Sequence, residues 1–322
     1  MAKRKDLSIP LIPLALRRIN GVKTVSSGAV NRKIPQNEVR ETLRRYQNWA
    51  ASQVPEARKS GKNGMQPLVD GLWKSEGFST TLGKFLTPEN TLNDTGIPRE
   101  SLGIAHVGFG AASNERVVFD TGKLTEIAET LSEPGFRGFT YEGMGSILRI
   151  YEPGIFKFMC GLLGLISLRA PDGPDQTGFF AKFFSAFPEE NQRLIVHGYG
   201  RLVAFSKLSV YAAIDEAMRL PANRVEPCVQ GIAFAFAMMN GEDMPILLEN
   251  SAISYPDGVR AAFQNGLVYG MIFCEWFVPG FLAGWTPEGR LEEKLIGKAR
   301  AESELNLKRG YPLAFQLENR LQ

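Results

Sequence analysis

Two patterns divide this chain. Residues 1–65 are polar, basic and loosely patterned, with one helical stretch predicted from Pro35 to Ala51. From about Gln66 onward apolar positions recur at helical spacing. The pattern predicts helices at Leu124–Leu131 (begun near Thr121 and stopped by Pro134), Asp175–Phe187, Glu189–Ser206 and Ser209–Leu220. Further helices are predicted at Pro227–Met239, Met244–Asn250, Pro256–Phe273 and Glu288–Glu304. Phe179, Phe180, Phe183, Phe184 and Phe187 fall on one stripe of helical period, which marks a core face. Loops rich in proline and glycine separate the helices, notably 170–178. The only short strand candidate is Arg116–Phe119, RVVF.

A second regularity runs across these segments. A residue, usually polar, precedes a glycine inside an apolar run: Asp70-Gly71, Val107-Gly108, Glu142-Gly143, His197-Gly198, Gln230-Gly231 and Asn265-Gly266. The glycines are 37, 35, 55, 33 and 35 residues apart, and four of these spacings match a helix-turn-helix repeat. Glycine costs a helix interior about 1 kcal/mol relative to alanine. Its recurrence calls for a compensation, either close helix packing or room for a ligand. The expected fold is mostly α, a helical repeat of antiparallel helix pairs, solenoid- or toroid-like, with an irregular basic N-terminal arm. The division expected is 1–65 for the arm with its one helix and 66–322 for the repeat domain with a C-terminal helix. Equivalent repeat positions would place Asp70, Glu142, His197, Gln230 and Asn265 along one face.

Composition narrows the function classes. Hydrophobic residues make up 44% and charged residues 22%, as in ordinary globular proteins. The formal charge of +3 is too small to indicate a nucleic-acid surface. A peripheral membrane role through the basic arm is a minor alternative. The start MAKRKDLSIPLIPLALRR is broken by Pro10 and Pro13 and does not read as a secretory signal. Residues 154–168 are too short to span a bilayer, and 267–285 carries Glu275, so both read as core helices and a cytoplasmic location is expected. Cys160, Cys228 and Cys274 lie far apart in or beside apolar runs and read as buried thiols. With only His106 and His197 present and no H-E-x-x-H spacing, no metal site and no cofactor are expected. Dinucleotide, Walker and nucleophile-elbow motifs are absent from the sequence.

The candidate chemistry sits in the glycine phrases. Glu142, beside Tyr141 in an aromatic setting, is expected to have its carboxyl pKa raised by desolvation, making it a neutral proton donor. Tyr141 would add a donor. His197 titrates nearest neutrality and is the natural acid or base. The competing reading of Glu142 is structural, a buried carboxylate paired with Arg137 or Arg149. Gln230 and Asn265 suit orientation of a substrate carbonyl or hydroxyl. Glu275 is a further carboxylate in an apolar run, and Tyr199 and Trp276 offer aromatic surface to an unsaturated or cationic ligand. Each also reads as core or interhelical packing.

The phrases GFTYEGMG (138–145), HGYGRLVAF (197–205), VQGIAFAFAMMNG (229–241) and AFQNGLVYGMIFCEWFVPGFLAGWTP (262–287), with QPLVDGLWKSEG (66–77), appear in a telling order. The chain resembles, over roughly 66–287, the domain-of-unknown-function proteins encoded in enediyne polyketide gene clusters. It departs from them in having His197 where an acidic residue stands and Arg201-Leu202 in place of Phe-His. The resemblance implies a part in secondary-metabolite biosynthesis. The resulting expectation is an enzyme that cyclises or isomerises a hydrophobic polyketide- or polyene-like intermediate by acid–base chemistry. The alternative is a non-catalytic helper that binds such an intermediate or a biosynthetic partner protein.

Overall fold

A computed structural model describes residues 99–117, 119–150, 182–207, 209–239, 255–284 and 289–309, with isolated positions at 41, 44, 45, 48, 52 and 287. The described part is mostly helical and contains no strand. Its helices are α1 (Arg99–Arg116), α2 (Thr121–Leu131), α3 (Arg137–Ile150), α4 (Glu189–Lys207), α5 (Val210–Ala217), α6 (Ala222–Met239), α7 (Asp257–Phe277) and α8 (Arg290–Arg309). No helix among the described residues is long and apolar enough to cross a membrane. The first glycine phrase at Asp70, Cys160, the segment 154–168 and the helix expected at 244–250 lie outside the described residues, as does most of 1–65.

Local signals account for several boundaries. Asp120 caps α2 by accepting the Lys123 N–H, and Ser209 caps α5 by accepting the Ala212 N–H. α6 begins five residues ahead of the expected Pro227, which sits inside it on the helix's first turns. The strand expected at 116–119 is not formed. Arg116 ends α1, and Val117 and Phe119 follow it as turn residues whose N–H groups bond the carbonyls of Ser113 and Asn114. α1 carries the Val107-Gly108 phrase, which the repeat placed on a helix although no helix bounds were read there. Its glycines are tolerated because the neighbouring helix uses the space they leave: an alanine at Gly103 would press on the Phe139 ring, and one at Gly110 on the Thr140 carbonyl.

That use of glycine recurs at every described phrase. A Cβ on Gly143 would strike the carbonyl of Val107, on Gly198 that of Glu142, on Gly231 that of His197 and on Gly266 that of Gln230. Each of these four first glycines therefore rests on the carbonyl of the residue that opens the preceding phrase. The second glycines face the other way. Gly110, Gly145 and Gly200 rest on the carbonyls of Thr140, Ile195 and Cys228, each two residues before the next phrase's opening residue. All these separations would be under 3.0 Å, which real Cβ atoms do not show, so only glycine permits the approach.

The result is a sequential row in which α1 packs on α3, α3 on α4, α4 on α6 and α6 on α7, with α8 against α7 and α7 also touching α1. Contacts advance together along each seam: Arg193 meets Glu226 and Arg201 meets Phe234, and likewise Gln230 meets Gly266 and Ala237 meets Gly270. Neighbouring phrase helices are thus parallel, and the antiparallel arrangement expected from the sequence does not describe these seams. Phe273 of α7 lies 6.2 Å from Phe139 of α3 and 5.5 Å from Phe234 of α6, joining non-adjacent helices through a buried aromatic core. Phe183, Phe184 and Phe187 of the expected stripe are buried in the same core.

The seams make a testable contrast. Gly198→Ala forces a methyl group into a backbone carbonyl and should lower unfolding free energy by about 3 kcal/mol or more. Gly297, in the middle of α8, has open space around its would-be Cβ. Gly297→Ala should instead raise stability by up to about 1 kcal/mol. Denaturant melts of the two variants check both signs.

Candidate functional site

The seam between α3 and α4 brings ionisable groups into the interior. Gly198 lets α4 approach the Glu142 carbonyl, and Ser146 Oγ bridges the seam by donating to the carbonyl of Gly198 at 3.1 Å. With the backbones this close, the Glu142 carboxylate lies between two α4 side chains one turn apart. His197 Nδ1 is 3.3 Å from its Oε1, and Arg201 Nη1 donates to its Oε2 at 3.0 Å. All three residues are buried. The His197 contact is close but off the line of a straight hydrogen bond, and neither ring nitrogen has a fully formed hydrogen bond. Phe234 of α6 closes the far side, with the Arg201 guanidinium 4.7 Å above its ring and the His197 ring edge-on at 5.5 Å.

Electrostatics reverses the expectation for Glu142. Burial pushes its carboxyl up, but the close approach of His197 and Arg201 outweighs burial and holds it below the ordinary carboxylate value. Glu142 is therefore an ionised acceptor, not the neutral donor expected from the sequence. Its charge partner is Arg201 instead of Arg137 or Arg149. Arg137 pairs with Glu129, and Arg149 pairs with Glu216 while donating to the Tyr199 hydroxyl. Arg201 is the ion-pair partner that the sequence reading did not single out. The signal was available, since a basic residue four positions after His197 falls on the same face of α4.

The other candidates are distributed elsewhere. Tyr141 is buried, and its hydroxyl donates to Glu129 Oε1 at 3.1 Å, away from the Glu142 carboxylate; burial, first, and Glu129 push its pKa up. Tyr199 faces Arg149 and Phe184. Glu275 accepts the N–H groups of Gly280 and Leu282, both at 2.7 Å, and so clamps the turn after α7. Trp276 is buried in α7, and Asn265 is half-buried at the α7 position whose following glycine rests on Gln230. Gln230 is buried with its Nε2 donating to Glu226 Oε1 at 3.2 Å. Among the described members of the proposed polar column, Glu142 and His197 are the pair whose polar side-chain atoms meet. Cys228 and Cys274 are buried. Among the described residues no group of three His, Cys, Asp or Glu side chains is placed to hold a metal ion.

His106 is a useful contrast with His197. Its Nδ1 donates to the Leu102 carbonyl at 2.7 Å and its Nε2 accepts the Glu133 N–H at 3.1 Å, while its ring stacks on Phe136. Both nitrogens are satisfied only in the neutral form, and burial brings its pKa down to about 4. This histidine ties α1 to the turn before α3.

Comparison with protein-family models, curated proteins and solved structures finds no match to this chain.

Acid titration separates the two buried systems. For His106 the unfolded chain binds its proton at about 6.5 and the fold only at about 4. Stability therefore rises with pH across that window, and acidification through it should cost roughly 3 kcal/mol. For Glu142 the folded value is depressed, so its contribution is present above 4.5 and is lost as pH falls through the lower folded value. Melts from pH 7 to 3 should show His106→Asn flattening the upper part of this decline. Glu142→Gln, which leaves Arg201 buried without its carboxylate, should cost roughly 3–5 kcal/mol at pH 7 and remove the lower part.

Proposed function

We propose that this protein is an enzyme of secondary-metabolite biosynthesis, using acid–base chemistry without a cofactor to cyclise or isomerise a hydrophobic polyketide- or polyene-like intermediate in the cytoplasm. The glycine-phrase helices are proposed as the units of a helical repeat of solenoid or toroid form. The observation that carries the catalytic reading is the 3.3 Å approach of His197 Nδ1 to the Glu142 carboxylate. A carboxylate there favours the tautomer with hydrogen on Nδ1 and leaves the Nε2 lone pair as the base. Arg201 keeps Glu142 ionised, so the roles shift: His197 moves the proton, and Glu142 orients and charges it. The aromatic side chains around the pair, Phe234 and beyond it Phe273, fit an apolar, unsaturated substrate. The place in secondary metabolism rests on the phrase resemblance alone.

The second reading is a non-catalytic binder of a hydrophobic intermediate or partner enzyme. It is favoured by the enclosure of the pair, with Glu142 1% and His197 0% exposed. A buried ion pair of this kind also serves to fix helix register.

The test begins with metabolite profiles of a deletion strain. An accumulating intermediate that the pure protein converts supports the enzyme, and a lower yield with no convertible intermediate supports the helper. His197→Gln is then expected to abolish conversion while the protein stays folded. The glutamine amide fills most of the imidazole's volume but cannot carry a proton near neutrality. Conversion that merely tracks the folded fraction of His197→Gln would reject the acid–base role.

A further inference from the structure

The glycine contacts that join α6 to α4 also aim one α6 side chain. A Cβ on Gly231 would strike the His197 carbonyl and lie 3.2 Å from the Arg201 backbone nitrogen, so α6 rests on the turn of α4 that carries both residues. Gly200 secures the same seam from α4 by resting on the Cys228 carbonyl. Phe234 follows Gly231 by three residues and therefore shares its face of α6. The Arg201 guanidinium carbon lies 4.7 Å from the centre of the Phe234 ring, and the His197 ring lies 5.5 Å from it at 74°. Phe234 is itself fully buried and is braced at 5.5 Å by Phe273 of α7. Phe273 in turn stacks on Phe277 and reaches Phe139 of α3.

A guanidinium has two recognition surfaces. Its N–H edge suits a carboxylate, and its flat face suits the negative face of an aromatic ring. Arg201 uses both: Nη1 donates to Glu142 Oε2 at 3.0 Å while the guanidinium stands over Phe234. The Arg201 side chain is only 3% exposed, and attraction between a cation and a ring is strongest when the cation is desolvated. Glu142 thus draws the arginine from α3, and Phe234 draws it from α6. We infer that Phe234 is a positioning residue for the Glu142–His197 pair: its ring holds Arg201 on the Glu142 carboxylate and limits the tilt of the His197 imidazole. α6 then shapes the chemistry of a pair carried by α3 and α4 without offering a reacting atom. The effect on conversion rests on the acid–base reading, whereas the hold on Arg201 does not.

Fluorinated phenylalanines test this in the full-length protein, because each fluorine drains charge from the ring face with little change of shape. Phe234 is replaced site-specifically by monofluoro, difluoro and trifluoro rings, and NMR of labelled arginine at neutral pH follows rotation of the Arg201 guanidinium. Rotation should quicken in that order, by up to roughly tenfold with the trifluoro ring. Arg149, paired with Glu216 and bonded to the Tyr199 hydroxyl, is the internal control and should keep its rate. If the trifluoro ring prevents folding, the first two rings give the trend, and Phe234→Leu should release Arg201 at least as far. A rate at Arg201 that ignores fluorination, or that changes equally at Arg149, would overturn the inference, since packing alone depends on shape. The turnover arm uses the intermediate accumulated by the deletion strain. Conversion per folded molecule that falls in the same order as the ring is drained supports the positioning role. Equal conversion with every ring rejects that role and keeps the enzyme. A responsive Arg201 in a parent protein that converts nothing rejects the enzyme and keeps Phe234 as the holder of Arg201.

Discussion

Backbone-to-backbone approach at the glycine phrases is the constraint from which the rest of the structure follows. Helices separated by ordinary side chains keep their axes some 8–10 Å apart. Here four first glycines, at 143, 198, 231 and 266, lie on a carbonyl of the preceding phrase helix, and three second glycines lie on a carbonyl of the next one. A helix held on two sides by its own backbone has little freedom to slide or rotate. Register along α1, α3, α4, α6 and α7 is therefore specified by the positions of the glycines, and side chains are placed by that register.

The polar interior is one consequence. A carboxylate taken out of water is costly unless charge and hydrogen bonds compensate it. Glu142 finds both because the Gly198 contact brings α4 close enough for His197 and Arg201 to reach the two carboxylate oxygens. Phe234 then lies over the Arg201 guanidinium and edge-on to His197, adding ring-face attraction for the guanidinium. Charged pairs farther out, such as Arg193 with Glu226, keep solvent contact and contribute correspondingly little to stability.

The two histidines show how the same side chain is committed to different roles by its neighbours. His106 is enclosed by backbone partners that fit one neutral tautomer, so it serves as a hydrogen-bonded strut. His197 has a carboxylate on one side and an aromatic edge on the other, and neither ring nitrogen has a fully formed hydrogen bond. Burial alone would not distinguish them, since both are fully enclosed.

Helical periodicity, turn residues and the recurring glycines were local properties of the chain, and they made the mostly helical content and most helix positions readable from the sequence. The spacing also pointed to Glu142 and His197 as equivalent positions on successive helices. What sequence could not decide was the sign of the Glu142 shift, the choice of Arg201 over Arg137 or Arg149, and the diversion of Tyr141 and Glu275 to other partners. The bounds of α1 were not readable for the same reason, because glycine's helix penalty is offset only by a neighbour that lies far away in sequence. Periodicity is written within one helix, whereas pairing and pKa depend on which side chains a second helix delivers. That delivery is decided where the backbones meet, and only the tertiary structure contains that contact.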